Sequence, residues 1–474
     1  MVIQTVSAGE LPSRESDEIK SSRKEFFERL LEKVEFTYVF ISFFFFTDAV
    51  LMVVLSGGAS EGDGFSYDAV NYTLVHLFYV AHNLLTLILV ACRYKRTIYI
   101  LLSNPLLIAA NTLIALSFLW SFAPDQSQTG GIFATCNMLF AVYLAGRYTL
   151  KQQLTILSYV MLTIAVLNFV FAYALPQYGI MGPPVHPGAW RGVFTHKNGA
   201  GKMMVLSSGI MFIMFNEVKA KSLRWLYFIG LMLSLQMINK TGSGGALINS
   251  FFILNIIVLL QSFKAETRKF LLSLIFLISA AILISVAYVP LMTFALGLIG
   301  KDPTLTGRTD IWEYIYAMIG NRPWLGYGLG GFWHGTAGPS LYVWQRAGWE
   351  VPDAHHGFLD MTLQIGIIGT VLVSLVLWLT LLRGLSRIRL FKTWVSCFPA
   401  AYSLYIVLIN LAESSLLAPN SIFWILICST SFTMAFESKY LTDFDRFSLI
   451  ESGNPMGDKI KSRIKPLGRT ETNI

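Results

Sequence analysis

Charged residues are scarce in this chain of 474 residues: Asp, Glu, Lys and Arg together make up 14% of it. A soluble domain carries about 25% charged residues, so most of this surface is not built to face water. Hydrophobic residues make up 54% of the chain and gather in apolar runs between about residues 36 and 438. The composition predicts one membrane domain and not a series of soluble domains.

Cysteine is scarce as well. The four cysteines, Cys92, Cys136, Cys397 and Cys428, lie in or next to apolar runs, and no Cys-x-x-Cys pair occurs. Neither a disulfide framework nor a zinc site is therefore supported. Residues 1–35 also lack the short apolar stretch of a cleavable signal peptide, so we expect the first span to act as an uncleaved signal.

The apolar runs are long enough to cross a membrane as helices. A span needs about 20 residues, because the hydrocarbon core is about 30 Å thick and a helix rises about 1.5 Å per residue. The sequence predicts an all-α polytopic membrane protein with about twelve spans, of which the third and ninth could be broken or tilted. The predicted spans are residues 36–56, 74–92, 98–121, 131–146, 153–175, 199–216, 224–238, 245–262, 270–298, 364–382, 395–412 and 421–438.

Lysine and arginine alternate between the loops that join these spans, so that every second loop is basic. The positive-inside rule makes the basic loops cytoplasmic. It predicts a cytoplasmic N-terminal segment at 1–35, a transmembrane domain at 36–438 and a cytoplasmic tail at 439–474. One large loop at 299–363 is predicted to be periplasmic. The net charge of +8 belongs to this pattern, and no nucleic-acid partner is expected.

Some basic residues break this bias at the outer ends of spans. Arg191, His196 and Lys197 lie just before the sixth span, in the segment from Trp190 to Gly199. Free N–H groups and the helix dipole add positive potential at that point. Such a site suits a pyrophosphate or an acidic sugar, and the alternative is that these side chains extend to lipid headgroups.

A tight turn is predicted between the seventh and eighth spans, from Lys240 through Ser243 to Gly245. Its glycines allow a close approach of the backbone to a ligand. A plain helical hairpin turn has the same composition, so the turn alone does not identify a site.

The large loop contains a predicted helix start. Asp310 is placed to cap the helix and Glu313 to complete a capping box, with Arg308 immediately before them. Apolar residues then recur at helical spacing, which predicts an amphipathic helix that can lie on the membrane domain. These residues are Ile311, Tyr314, Ile315 and Met318.

Two adjacent histidines, His355 and His356, stand just before the tenth span. We expect Asp353 to cap that span, which would place both histidines in its first turn. At the mouth of a span His355 could accept, or at least orient, the proton of a hydroxyl group. The alternative is a histidine that only caps or packs.

The order of these motifs resembles the O-antigen ligase and polymerase superfamily over about residues 105–435. The Thr-His-Lys-Asn form of the first motif resembles the exopolysaccharide polymerase branch, as do Asn410, Glu413 and Ser414 with Asn420 and Trp424. The motifs are Arg191 to Asn198, Thr241 to Gly245, Gly307 to Trp312, Pro323 to Gly328 and Ala354 to Leu359.

The resemblance implies a helical glycosyltransferase of the C superfamily in the bacterial inner membrane. Such an enzyme moves a glycan from undecaprenyl pyrophosphate to an acceptor hydroxyl on the periplasmic side, without a metal or other cofactor. Its essential arginines and histidine map onto Arg191, Arg308 and His355. The residues that we expect to contact substrate are His196, Lys197, Asn198, Lys240, Ser243, Trp312, His356 and Glu413.

The chain departs from the family pattern at two places. The turn of the family carries Ser-Arg, where Ser243 is followed by Gly244, and Lys240 is placed to supply the missing charge. The histidine of the family is followed by Asn, where this chain has His356. The assignment of the reactive histidine therefore stays open between His355 and His356.

Three functions compete at this stage. A polymerase of lipid-linked repeat units is the leading one, and a ligase that acts on a lipid A core is the alternative within the family. A flippase would need charged residues in mid-span and pseudo-symmetric halves, and the spans are nearly free of charge. The expected partners are the lipid-linked oligosaccharide, an acceptor glycan and the bilayer, with a chain-length regulator or export complex as a further candidate.

Overall fold

The structure, a computed structural model, describes residues 11–58, 71–183, 186–262, 308–418 and 420–451. Within these ranges the chain is helical, and its only strand-like feature is an isolated bridge between Ile180 and Trp190. The helices are α1 Leu11–Phe45, α2 Leu51–Leu55, α3 Thr73–Cys92, α4 Tyr94–Leu101, α5 Pro105–Leu116, α6 Pro124–Arg147, α7 Leu150–Ala174, α8 Pro176–Gly179, α9 Lys197–Glu217, α10 Lys221–Thr241, α11 Gly244–Ser262, α12 Arg308–Asn321, α13 Leu341–Ala347, α14 Gly357–Phe391, α15 Phe398–Asn410 and α16 Ile422–Glu451.

Six of these helices, α3, α6, α7, α9, α11 and α14, are long and apolar enough to cross a membrane. The bent pair α4 and α5 makes a seventh candidate when it is counted as one broken span. An all-helical, polytopic membrane protein is therefore confirmed. The count of twelve stays a prediction, and its ninth span at 270–298 lies outside the described residues.

The predicted first span, 36–56, is wrong as a continuous helix. α1 ends at Phe45, and α2 begins only at Leu51. Between them Asp48 and Val50 have positive φ angles of 58° and 68°, which is an unfavourable region for a β-branched residue such as valine. The backbone N–H of Val50 donates to the carbonyl oxygen of Val193 at 2.8 Å. This contact with a distant loop compensates for the interruption, and no local sequence pattern predicts it.

The third predicted span, 98–121, is broken, as its length suggested. α4 and α5 meet at an angle of 93°. Asn104 caps α5, with its side chain accepting from the N–H of Leu107 at 3.4 Å, and Pro105 stands in the first turn. Proline cannot continue a preceding helix and is favoured at the start of a new one. The Asn-Pro pair therefore ends one helix and begins the next.

α9 lies at the centre of the bundle, in contact with α7, α10, α11 and α15. Small side chains bring these neighbours close. A Cβ atom on Gly201 would lie 2.8 Å from the Cβ of Ala246 in α11, and Ser207 shares a buried hydrogen bond of 2.8 Å with Ser234 in α10. The beginning of α9 is therefore surrounded by other elements, which positions the residues of the first motif.

The loop between α12 and α14 has an apolar core of its own. Ile311, Ile315 and Met318 of α12 are buried there, together with Phe332 and Val343. The predicted helical spacing is thus confirmed. The face packs both within the loop and against the beginning of α14, where Leu363 joins the same core.

The Pro323–Gly328 motif joins this loop to a break in α14. Gly366 has a φ of 68°, which interrupts the helix. The freed N–H of Ile367 donates to the carbonyl oxygen of Pro323 at 2.8 Å, and the N–H of Tyr327 donates to that of Leu363 at 2.8 Å. A Cβ on Gly366 would lie 2.1 Å from the carbonyl oxygen of Trp324. Glycine is therefore required where the motif inserts into α14.

Candidate functional site

The candidate site lies at one end of the helical bundle. We call the end at which α9 and α14 begin the site end, and the end at which they finish the opposite end. The positive-inside pattern predicts that the site end is periplasmic. The described residues of the five predicted motifs all lie at the site end.

Arg191 holds the loop before α9. Its side chain is buried, with 1% of its surface exposed. Nε donates to the carbonyl oxygen of Tyr178 at 2.8 Å, and the terminal nitrogens donate to those of Gln177 (3.1 Å), Thr195 (3.4 Å) and Gly58. In this conformation the guanidinium group joins three chain segments through their backbones.

His196 caps α9, and Lys197 is the first residue of the helix. The Nδ1 atom of His196 accepts a hydrogen bond from the N–H of Asn198 at 3.2 Å. Burial lowers the pKa of His196 to about 4, and the positive charges of the surrounding groups lower it further in the same direction. These groups are His186, Lys197, Lys202 and Arg191. The ring is therefore neutral at physiological pH, and it lies where several cations converge.

The segment from Asn410 to Asn420 docks against the start of α9. The side-chain amide of Asn198 donates to the carboxylate of Glu413 at 3.1 Å. About one turn further along α9, the ammonium group of Lys202 donates to the hydroxyl of Ser415 at 2.9 Å. The structure thus brings together Asn198 and Glu413, two of the residues predicted to bind substrate.

The same segment also touches the start of α14. The side chain of Asn410 is fully buried, and its oxygen accepts from the N–H of Ser415 at 2.8 Å. A Cβ atom on Gly357, the first residue of α14, would lie 1.9 Å from that oxygen. The histidine pair that precedes Gly357 therefore lies near the segment that holds Asn198 and Lys202.

The predicted cap of α14 is corrected. His356, not Asp353, caps the helix, and its Nδ1 accepts from the N–H of Leu359 at 3.4 Å. The carboxylate of Asp353 instead accepts from the N–H of His355 at 2.6 Å. Both residue types carry an acceptor that can reach a backbone N–H, so the sequence alone did not separate them. His355 and His356 consequently precede the first turn of α14 and do not lie within it.

His356 is held by its surroundings. Its ring meets the Trp312 ring edge to face, at a centroid distance of 5.4 Å. The indole N–H of Trp312 donates to the carbonyl oxygen of Ala354 at 3.0 Å. Burial lowers the pKa of His356. Both Trp312 and His356 thus have structural contacts at the base of the loop.

His355 differs from His356 in that its ring does not cap a helix. Its backbone has a positive φ of 45°, and its ring stacks beside Trp349 at a centroid distance of 6.4 Å. The Nδ1 atom lies 3.4 Å from the carboxylate of Asp353, and among the described residues it has no hydrogen-bond partner. Strained backbone of this kind is concentrated at functional sites.

The glycine turn closes the other side of the first motif. Gly242 ends α10 with a φ of 61°, and the Ser243 hydroxyl accepts from the N–H of Ala246 at 3.4 Å. The ammonium group of Lys240 lies 5.4 Å from the centre of the Trp190 ring. The hairpin turn that the sequence left as an alternative is present, and it is adjacent to the first motif.

Arg308 is the first residue of α12. The position of its side chain is outside what the structure describes, as are the preceding residues 301–307. Arg308 and Thr309 are already helical, so Asp310 lies within α12 and does not cap the helix as predicted.

Two charged residues at the site end, Asp48 and Lys202, were not among the predicted site residues. Each is a charged residue inside a predicted span, at 36–56 and 199–216 respectively. Ionisable residues in such segments are expensive to insert and commonly serve a function. That signal could have identified both of them.

Comparison with known proteins agrees with the motifs. A protein-family model described as O-antigen ligase matches residues 229–374, which include the glycine turn, α12 and both histidines. The exopolysaccharide production protein ExoQ of Rhizobium meliloti (strain 1021) is 25% identical over 135 residues. The resemblance to the O-antigen ligase and polymerase superfamily is confirmed.

The likeness to this superfamily covers part of the chain. The match to ExoQ covers 27% of this chain and 30% of the length of that relative. The first motif at Arg191 to Asn198 and the segment at Asn410 to Asn420 lie outside the range of the family model. The structure places these two regions beside the matched residues.

Proposed function

We propose that this chain is a polymerase of lipid-linked oligosaccharide repeat units. It transfers a glycan from undecaprenyl pyrophosphate to the hydroxyl of an acceptor sugar, at the periplasmic face of the bacterial inner membrane. The observation that carries the proposal is the docking of the Asn410–Asn420 segment, which contacts both α9 and the start of α14. A cationic region and a histidine whose ring does not cap a helix thereby share one end of the bundle.

The leaving group sets the first chemical requirement. A lipid pyrophosphate is anionic, so the enzyme needs fixed positive charge at the point where the lipid headgroup lies. We assign Arg308 to grip the pyrophosphate, because guanidinium groups match phosphate oxygens with two parallel hydrogen bonds. Arg191 supports the same site through its charge, which reaches His196, and through the carbonyl groups that it holds.

The acceptor hydroxyl sets the second requirement. In the proposed step the bond between the anomeric carbon and the pyrophosphate oxygen breaks, and the bond to the acceptor oxygen forms. The leaving oxygen keeps the electron pair, and the acceptor proton passes to His355, or is at least oriented by it. His355 is preferred to His356 because His356 already caps α14. Direct displacement of this kind inverts the anomeric configuration.

The proposal also covers the fold, the topology and the cofactor requirement of the protein. It comprises a C-superfamily fold of about twelve spans, with a large periplasmic loop at 299–363 and both termini in the cytoplasm. We propose that the reaction needs no metal and no other cofactor, because the cations of the protein perform the charge stabilisation that a divalent ion would otherwise supply. A chain-length regulator or export complex is the proposed protein partner.

A ligase that transfers the glycan to lipid A core is the second candidate. The description of the family model as O-antigen ligase favours it. The name of the relative, an exopolysaccharide production protein, favours the polymerase, as does the Thr-His-Lys-Asn form of the first motif. Both reactions use the same donor chemistry and differ in the acceptor.

Analysis of the cell-surface glycans of a deletion strain separates the two reactions. A polymerase predicts that single lipid-linked repeats accumulate while the lipid A core stays normal. A ligase predicts that long lipid-linked polymer accumulates and fails to reach the core. Unchanged surface polysaccharide and unchanged lipid-linked intermediates would contradict both candidates.

A further inference from the structure

His355 and His356 are adjacent in the chain, but their ring nitrogens face different partners. The Nδ1 atom of His356 accepts a hydrogen bond from the N–H of Leu359 at 3.4 Å. An imidazole nitrogen that accepts a hydrogen bond carries no proton, so the single proton of the neutral ring is on Nε2. In this arrangement His356 has no basic nitrogen left for a substrate.

The Nδ1 atom of His355 faces a carboxylate instead. It lies 3.4 Å from Oδ1 of Asp353, it is buried, and it has no hydrogen-bond partner among the described residues. A carboxylate can only accept, so a hydrogen bond across this gap requires the proton on Nδ1. Catalytic hydrogen bonds are often this long in the absence of substrate and tighten when it binds. The neutral ring then keeps an unprotonated Nε2.

The carboxylate of Asp353 is fixed in this position by the backbone. The same oxygen, Oδ1, accepts the N–H of His355 at 2.6 Å, a local bond that Asp commonly makes with the residue two positions further on. This bond closes the turn in which His355 adopts a φ of 45°. Asp353 therefore supports the backbone of His355 and also provides the nearest acceptor for its Nδ1.

The segment that carries this pair is anchored, while part of the His355 ring stays accessible. Val351 and Ala354 are fully buried, and the carbonyl oxygen of Ala354 accepts the indole N–H of Trp312 at 3.0 Å. The His355 side chain is 22% exposed although its Nδ1 is buried. The accessible surface therefore belongs to the rest of the ring, where a ligand can approach.

We propose that Asp353 is a positioning residue that holds His355 in the tautomer with the proton on Nδ1, so that Nε2 is the atom that takes the acceptor proton. The inference rests on the proposed function for the identity of the acceptor. The acceptor proton moves to Nε2 as the acceptor oxygen bonds to the anomeric carbon and the pyrophosphate leaves with the electron pair. The proton on Nδ1 stays in place, and the carboxylate stabilises the imidazolium that forms.

The substitution Asp353→Asn tests this role, because the amide oxygen of Asn can still accept the N–H of His355 and the negative charge is lost. We expect the kcat of glycan transfer to fall roughly tenfold or more, with the KM values of donor and acceptor nearly unchanged. Asp353→Ala also loses the backbone bond and should transfer more slowly still. Glu350→Gln removes an exposed carboxylate from the same segment, and this matched control should transfer as the wild type does.

A purely structural role of Asp353 predicts a different result. Asn would then support the turn as well as Asp does, and a wild-type kcat of Asp353→Asn would overturn the inference. An equal fall in kcat for Glu350→Gln would also overturn it, since any nearby negative charge would then have the same effect. Thermal melting of each variant separates a lower kcat from a smaller folded fraction.

Chemical modification tests the pair without the transfer reaction. Diethyl pyrocarbonate acylates an unprotonated imidazole nitrogen, and the charge of a neighbouring carboxylate makes that nitrogen a better nucleophile. At pH 8 we expect Asp353→Asn to slow the modification of His355 severalfold and to leave that of His334 unchanged, as measured by fragment-ion mass spectrometry. Equal rates at His355 would overturn the inference. A wild type that shows this difference yet transfers no glycan would contradict the proposed function and leave the inference supported.

Discussion

The two ends of the bundle differ in how their cations are paired. At the opposite end several cations pair with carboxylates: Glu35, which is 2% exposed, contacts Arg93 and Arg147. Glu217 pairs with Lys151 at 3.3 Å, and Arg387 pairs with Glu437. At the site end four cations make no ion pair among the described residues and instead meet hydroxyls, carbonyls or aromatic rings. These are Lys202, Lys240, Arg322 and Arg346.

The difference distinguishes cations that are neutralised by a carboxylate from cations whose charge can still attract a ligand. A carboxylate partner neutralises a cation and fixes its geometry, and removal of that partner leaves a buried charge uncompensated. A cation that meets only neutral groups keeps its field, which attracts an anionic ligand to that surface. We therefore propose that the site end receives the lipid pyrophosphate, and that the ion pairs of the opposite end stabilise the bundle.

The largest effect is expected at His355. His355→Ala should reduce the rate of glycan transfer by about a hundredfold or more, which is the contribution typical of a positioned acid or base. Protein level and donor binding should remain close to those of the wild type. Transfer is measured as polymer formed from a lipid-linked repeat by the purified protein.

His356→Ala is the matched control for that substitution. It removes the cap of α14, which should cost about 1 kcal/mol of stability, and it should have a smaller effect on turnover than His355→Ala. An active His355→Ala with an inactive His356→Ala would exchange the two roles. Normal transfer by both variants would remove the histidine pair from the chemistry.

The next effect is expected at Arg308. Arg308→Ala should lower turnover by roughly a hundredfold, because a group that stabilises the leaving pyrophosphate is lost. Arg308→Lys keeps the charge and loses the paired donors, so its turnover should lie between those of Arg308→Ala and the wild type. Full activity of a normally expressed Arg308→Ala would contradict this assignment.

The smallest effect on turnover is expected for Glu35 at the opposite end, where a substitution should instead lower the stability of the protein. Glu35→Ala leaves Arg93 and Arg147 without their shared carboxylate. These arginines are partly exposed, with 30% and 27% of their side chains accessible, so we expect a loss of about 2 kcal/mol of stability, below the range for a fully buried pair. Thermal unfolding in detergent measures it. A change in donor KM of the folded fraction would break the distinction between the two ends.

Much of the fold was predictable because long apolar runs in the sequence correspond directly to membrane helices. The second predicted span, 74–92, differs from α3 by one residue at its start. The Asn104-Pro105 pair produced the break that the length of the third span suggested. These features depend on local chemistry, such as hydropathy, capping and the missing N–H of proline.

The features that could not be predicted depend on distant partners. The connector at Asp48 is held by Val193 and Ile422, far away in the sequence. His356, and not Asp353, caps α14, and its ring also packs against Trp312, which is distant in the sequence. The motifs identified Asn198 and Glu413 separately, and only the fold showed that they touch at 3.1 Å.

Elongation of a defined lipid-linked repeat by the purified protein in liposomes tests the central claim most directly. EDTA is present throughout, and the products are resolved by length. The account predicts a ladder of polymer attached to undecaprenyl pyrophosphate, formed without added metal and lost in His355→Ala. No elongation by a folded wild type supplied with this donor, or elongation only after magnesium is restored, would contradict it.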